Sequence, residues 1–325
     1  MEKRKVYISA VGLIKAGEDS KSDRFLRIRQ EQYEDILNGL PLRNVDRISK
    51  MALAAAKQAL YFREQDIPKD KTKDLGIILG TQYSSLNSIH EFDKVSVEKG
   101  ALGVNPGLFP NTVLNSPACQ VEIQLGAAGP CYTICNKLTS ALDAIGAAYI
   151  NIMTEMASIV LAGGADEITE LQSIMHQTSR RIGEAAGFAV MEDGKQQPDG
   201  GFTAEVAGYK TLSFNECETA QLSGYGAAAV ADAMRTAGVT TDRIGHISFD
   251  IYLSQNESRQ LAEDICSRLN YKGEYEYLDI DWMGAGGIVQ TASAVEALRE
   301  EETAVWILVG IDRDSTSVVV LSPCR

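Results

Sequence analysis

The chain has 325 residues and is 45% hydrophobic, enough apolar content to bury a large core as one big domain or two fused halves. A formal charge of −13 argues against nucleic acid or an anionic membrane surface as the main partner, since both are bound by clustered Lys and Arg. No run of about 18 apolar residues occurs, so no membrane span is expected.

In chain order, MEKRKVYISAVGLIKAGEDS (1–20) sets basic residues before an apolar run, as a secretory leader does, but the run is too short and ends in charge. The alternation of Val6, Ile8 and Ala10 before Gly12 predicts a first β-strand instead. NVDRISKMALAAAKQAL (44–60) places Val45, Ile48, Ala52, Ala55, Ala56 and Leu60 at helical spacing, with Asn44 or Asp46 able to cap it. DLGIILG (74–80) reads as a buried strand ended by Gly80, followed by a polar loop and a helix from Leu86 to Lys99. Residues 137–155 predict a long helix of small residues, and ASIVLAGGA (157–165) a fully apolar strand stopped by paired glycines. EDGKQQPDGG (192–201) is polar and turn-rich, a hairpin or surface loop. This alternation predicts an α/β layered fold with a largely buried sheet.

The stretch from Thr139, TSALDAIGAAYINIMTEMASIVLAGGAD, has the order and character of TASAVEALREEETAVWILVGID from Thr291. Each is a small-residue helix followed by an apolar strand ending at glycine, which predicts a duplicated α/β half. The six cysteines (119, 131, 135, 217, 266, 324) include no CxxC pair, and no histidine stands at metal-ligand spacing. That pattern suits a reduced, cytoplasmic protein with no metal site.

GIILGTQYSSLNSIHEF, LFPNTVLNSPACQVEIQLG, GPCYTICNKLTSALDAIG, IVLAGGADE, IGEAAGFAVME and GAGGIVQTASAVEAL follow one another in an order that resembles the β-ketoacyl synthases of fatty acid and polyketide assembly. The resemblance covers nearly the whole chain. It implies a thiolase-like fold, five layers α-β-α-β-α in two similar halves (1–170 and 171–325), assembled as a dimer.

Active members of that family carry a cysteine nucleophile at the N-terminus of a buried helix, where amides and the helix dipole favour thiolate and then stabilise the thioester oxyanion. The matching position here is Leu138. The family's two histidines fall on Asp250, in the strand RIGHISFDIYLSQN, and on Gly287, and a usual lysine falls on Trp282. A glycine-rich C-terminal loop is replaced by DRDSTS (312–317), and loops that usually cover the active site are shortened. His246, four residues before Asp250, is expected to pack or face solvent.

With nucleophile and both histidines absent, the resemblance implies a non-catalytic ketosynthase-like subunit, close to the chain-length factors of type II polyketide systems. Such a subunit forms a heterodimer with an active β-ketoacyl synthase, needs no cofactor, and meets acyl carrier protein through the complex. A chain-length factor often has glutamine at the cysteine position; Leu138 departs from that. Phe109, Pro110, Asn115, Cys119, Cys131, Tyr132, Thr133 and Ile134 are the implied interface or pocket residues: PCYTIC pairs across the dimer, LFPNTVLNSPACQ walls the neighbouring pocket, and Tyr132 or Phe109 stops elongation. Two other readings stand beside this one. The chain is an acyltransferase or thioesterase-like enzyme using Cys135 or Cys131, with Asp250 or Glu184 as base, or it is a self-associating acyl-binding protein.

Overall fold

The structure, a computed structural model, describes residues 4–17, 23–63, 67, 72–176, 178–196, 201–215, 217–300 and 304–324. Its first half builds strands β1 (Val6–Lys15), β2 (Leu75–Gly80), β3 (Cys131–Ile134), β4 (Ile159–Asp166) and β5 (Ala185–Asp193), with helices α1 (Arg47–Phe62), α2 (Leu86–Lys99), α3 (Ser116–Leu125) and α4 (Ser140–Met153) between them. The second half supplies β6 (Ala204–Ser213), β7 (Ile244–Ile251), β8 (Glu274–Tyr277), β9 (Val305–Ile311) and β10 (Ser315–Pro323), with α5 (Thr219–Ala237), α6 (Gln255–Arg268) and α7 (Gly286–Glu300).

These ten strands form one hydrogen-bonded sheet in the order β8-β7-β9-β10-β6-β1-β5-β4-β2-β3. Each set of five repeats a single pattern: third, second, fourth, fifth, first. In each set the second strand lies parallel to the third and fourth, and the fifth runs antiparallel to both its neighbours. The sets join through β1 and β6, antiparallel, at Tyr7 opposite Glu205 and Ile8 opposite Ala204. The echo between Thr139 and Thr291 is α4–β4 against α7–β9, each a helix leading into the fourth strand of its set. Strand β5, which follows the expected division at residue 170, pairs with β1 and β4 and so belongs to the first set of strands.

Both α4 and α7 pack on strands of both sets, which makes them the middle of the five layers. That placement explains why α4 is small and apolar over nearly its whole length, while α7 is buried through its first turns and turns Ser293, Glu296, Arg299 and Glu300 to solvent toward its C-terminus. Strands β4 and β5 are buried at every residue, the physical origin of the unbroken IVLAGGA run. Asp46 is the residue that caps α1, accepting from the Ser49 amide at 3.2 Å, while Asn44 sits upstream at φ +67°. The helix expected over 137–155 opens with a 3₁₀ turn, Lys137–Thr139, before α4 begins. In the expected 192–201 loop, β5 reaches Asp193 and a 3₁₀ turn spans Gly194–Gln196; residues 197–200 lie outside the described residues. No described helix is long and apolar enough to cross a membrane.

Candidate functional site

Strands β2 and β3 end together at the N-terminus of α4, tied by the Thr81 amide donating to the Ile134 carbonyl at 2.9 Å. Leu138 sits in the turn that starts this helix, with its side chain 4% exposed. Its amide donates to Asp312 Oδ2 at 3.2 Å. Asp312 begins the DRDSTS hairpin between β9 and β10, and its other oxygen accepts from the Arg313 amide at 2.7 Å. A second tie, Lys137 Nζ to Asp314 Oδ2 at 2.7 Å, joins the same two loops. Unpaired amides at a helix start attract anions. Here the anion is a carboxylate of the chain itself.

Asp250, near the end of β7, is 1% exposed and meets Arg180 Nη1 at 3.1 Å and Nη2 at 3.2 Å. Arg180 also reaches Asp281 Oδ2 at 3.4 Å, so one guanidinium serves two buried carboxylates. Burial raises Asp250 to about 7, Arg180 opposes the rise and the neighbouring Asp281 adds to it. For Asp281 burial acts the same way, but His176, Arg180 and the Met283 amide outweigh it and bring the group down to about 2. Of the two, Asp281 holds its charge to far lower pH, while Asp250 takes up a proton near neutrality. Asp250 is a buried structural acid.

Gly287 has no room for any side chain. A Cβ there would lie 2.6 Å from Leu142 Cγ and 2.7 Å from the Leu142 amide nitrogen, and one on Gly286 would lie 1.9 Å from Asp250 Oδ2. Helices α4 and α7 are therefore in near-backbone contact at Gly287, the position expected to match a family histidine. Trp282 is buried, with Lys15 Nζ 5.2 Å from its ring centroid. His246 stacks on Trp306 with ring centroids 4.2 Å apart.

A cavity of about 350 Å³ remains beside Leu138, lined among others by Gln82, Tyr83, His176, Asp281, Asp312 and Arg313. Its lining is largely polar. Tyr83 Oη lies 2.9 Å from His176 Nδ1, and His176 Nε2 lies 3.1 Å from Asp281 Oδ2. Burial, then Asp166 and Asp281, push the Tyr83 phenol up to about 12, so it stays protonated beside Nδ1, while Nε2 faces the carboxylate. Asp166 fixes the loop that carries Tyr83: it accepts from Thr81 Oγ1 at 2.9 Å and from the amides of Gln82 (2.7 Å), Tyr83 (2.9 Å) and Gly284 (2.9 Å). Sequence reading missed Tyr83, His176, Arg180 and Asp281, which come from segments far apart in the chain and form no motif.

Among the described residues no cysteine lines this cavity. Cys135 is exposed and burial of its thiol raises it; Cys131 is half-buried and raised well above the usual thiol range, mainly by burial and then by Glu122 and Cys119. Neither is poised as a thiolate. The two bases considered for them are engaged elsewhere. Asp250 faces Arg180, and Glu184 is gripped by Arg47 at 2.8 Å on each oxygen while accepting from the amides of Ile28 (2.6 Å) and Ile168 (2.8 Å). A cysteine nucleophile with either base is therefore not what the side chains assemble.

The expected interface residues gather at one end of the sheet. β3 is its edge strand, with Tyr132 36% exposed and accepting from Asn151 Nδ2 at 3.1 Å, and with Thr133 and Ile134 half-buried. Pro110 and Asn115 are exposed, Asn115 donating to Cys119 Sγ at 3.2 Å. Phe109 is 59% exposed and meets Phe92 edge-on, centroids 6.0 Å apart. Cys119, Glu122 and Cys131 lie together beneath this edge.

Among curated proteins the chain is similar to 3-oxoacyl-[acyl-carrier-protein] synthase 2 of Vibrio cholerae serotype O1, 26% identical over 246 residues, which are 67% of this chain and 59% of that protein. The Staphylococcus aureus protein of the same name is 23% identical over 266 residues, 70% of this chain and 66% of its own. The matches thus span less than two thirds of these relatives. Among solved structures, the ishigamide ketosynthase/chain length factor has a TM-score of 0.80 at 17% identity, covering 99% of this chain and 100% of that one. A ketosynthase in complex with its chain length factor from Xenorhabdus doucetiae gives 0.77 at 15% identity, covering 99% and 98%. These likenesses establish a thiolase-like ketosynthase fold, which the duplicated strand order displays independently. Residues 12–213, most of the chain, match the model of the β-ketoacyl synthase N-terminal domain, and with that match and that fold the chain belongs to the β-ketoacyl synthase family.

Proposed function

We propose that this protein is the non-catalytic subunit of a two-subunit ketosynthase, a chain-length-factor-like partner of an active β-ketoacyl synthase in polyketide, polyene or fatty acyl assembly. The observation that carries this reading is the Leu138–Asp312 contact. An aliphatic side chain stands where the nucleophile would be, and the amide beside it, which would receive a developing oxyanion, already donates to a carboxylate. Deleting the nucleophile alone removes acyl-enzyme chemistry. The packing of Gly287 on Leu142 supports the same conclusion from the α7 side.

Partnership is supported by the surface around β3. Phe109, Leu114 and Ile123 are each at least 47% exposed and lie on α3, which packs on the edge strand, or on the segment that leads into it. Apolar side chains gathered at a sheet edge are an association surface when a partner covers them. In the pair, β3 meets its counterpart in the synthase, the 108–120 segment walls the shared pocket, and Phe109 or Tyr132 limits elongation. Acyl carrier protein is met by the complex, in the cytoplasm, where the six free thiols stay reduced. Co-expression with the synthase encoded nearest to it, purification on a tag carried by this chain, and native mass measurement test the proposal. A 1:1 heterodimer is expected; recovery of this chain only as itself, alone or self-paired, argues for the acyl-binding alternative.

A second reading rests on the Tyr83–His176–Asp281 hydrogen-bond chain, an acid–base arrangement open to a polar cavity. In it Tyr83 Oη exchanges a proton with a small polar substrate while His176 Nδ1, oriented through Nε2 by Asp281, gives or takes the Tyr83 proton. A His176→Gln change that abolishes product formation while the heterodimer stays intact favours that reading over a purely structural one.

A further inference from the structure

Away from the α4 start, α3 and β3 bring together three residues with the chemistry of a metal site. Cys119 and Glu122 are three apart on α3 and so share a face, and Cys131 opens the edge strand beside them. One ligand atom from each, two Sγ and a carboxylate oxygen, all lie within 4.8 Å of one another. Donors around a tetrahedral zinc ion are separated by roughly 3.5 Å, given Zn–S near 2.3 Å and Zn–O near 2.0–2.2 Å. The contraction required is on the order of 1 Å between side-chain atoms.

We propose that Cys119, Glu122 and Cys131 form a site for a thiophilic divalent cation, zinc above all, with a solvent molecule in the fourth position. Two sulfurs and one carboxylate select a borderline-soft ion over Mg²⁺ or Ca²⁺, which require shells of oxygen. All three residues are half-buried, so an ion can enter from solvent while part of its shell is protected. Asn115 Nδ2, 3.2 Å from Cys119 Sγ, orients that sulfur as an outer-shell donor. Binding replaces two thiol protons with one ion and releases both to solvent. The bound ion would clip α3 to the edge strand and stiffen the surface next to the proposed interface, although the site itself does not depend on that interface. The spacing of the residues hides it, since eleven positions separate the two cysteines and no CxxC or histidine marks them.

The test uses the full-length reduced chain titrated with Zn²⁺ and, as a spectroscopic probe, Co²⁺. One equivalent is expected, with a thiolate-to-cobalt charge-transfer band, and zinc should shield Cys119 and Cys131 from alkylation while Cys135 and Cys324 stay reactive in peptide maps. Cys119→Ser and Cys131→Ser should each lose the band, and Glu122→Gln should weaken binding by about tenfold or more. Should a variant fail to fold, the wild-type shielding map decides alone. The site is overturned if the reduced chain retains no metal, if shielding maps to other cysteines, or if Cys119 and Cys131 are disulfide-bonded in protein purified under reducing conditions.

Discussion

Gly287 and Leu142 touch so closely that no side chain fits on the glycine: an added Cβ would stand 2.6 Å from Leu142 Cγ and 2.7 Å from the Leu142 amide nitrogen. The two central helices of the fold therefore meet almost backbone to backbone, at the position we propose matches the family's second histidine. Gly287→Ala should destabilise the protein by about 1–3 kcal/mol through overpacking. Leu142→Ala, at a residue 1% exposed, should cost about 2–5 kcal/mol through the cavity it leaves. Because each change relieves what the other creates, the double variant should lose less than the sum, measurable by urea unfolding. Strict additivity would mean the contact is not as tight as described.

Asp250, Asp166 and Glu167 give stability a definite pH dependence. Burial raises them to about 7, 6 and 7 in the folded protein, above their ordinary values of 3.8, 3.8 and 4.5. Between about pH 4 and 7 the folded state thus binds more protons than the unfolded one, and stability falls as pH rises through that window. Asp281, lowered to about 2, acts oppositely: its contribution is present above 3.8 and is lost as pH drops toward 2. The thermal midpoint should decline from pH 5 to pH 7.5, and Asp250→Asn should flatten part of the slope. A wild-type midpoint that climbs over this range contradicts the assignment.

Arg180 neutralises two carboxylates that are each at most 4% exposed. Removing it as Arg180→Met leaves buried charge without a partner and should cost about 3–5 kcal/mol at neutral pH. The loss should shrink in mildly acidic buffer, where Asp250 takes up a proton, which distinguishes it from simple loss of packing.

Supplying the missing sulfur should not by itself restore an acyl-enzyme. Leu138→Cys leaves the amide donating to Asp312, so intact mass after exposure to acyl thioester should show no adduct at residue 138. Adding Asp312→Ala frees that donor, and labelling at residue 138 should then rise by at least tenfold, since one oxyanion donor is worth on the order of 10²–10³ in rate.

At the proposed interface, Ile123 is 66% exposed and makes little use of the core, so Ile123→Glu should weaken association with the synthase by tenfold or more and leave the melting of this chain alone unchanged. Phe109→Ala or Tyr132→Ala should lengthen the product made by the reconstituted pair. Unchanged product length across such a panel removes both residues as elongation stops.

The layered order was legible from sequence because hydrophobic period is set locally: the unbroken IVLAGGA run marks a strand covered on both faces, and the small-residue stretch from Ser140 marks a helix buried over most of its length. The placement of Leu138 rested instead on the family resemblance, anchored by GPCYTIC before it and by TSALDAIG after it. What stayed hidden depends on contacts between distant segments. His176 and Asp281 are 105 residues apart, Leu138 and Asp312 are 174 apart, and nothing local in either neighbour announces the pairing. The metal-ligand cluster escaped because a helix turn and a strand start, rather than a sequence motif, place its two sulfurs together.

The most direct test is to supply the purified pair with acylated carrier protein and weigh each subunit intact. The acyl group should appear on the synthase, and this chain should keep its unmodified mass at every time point. A thioester adduct on Cys135, Cys131 or any other residue of this chain, formed as fast as the synthase turns over, would contradict the account.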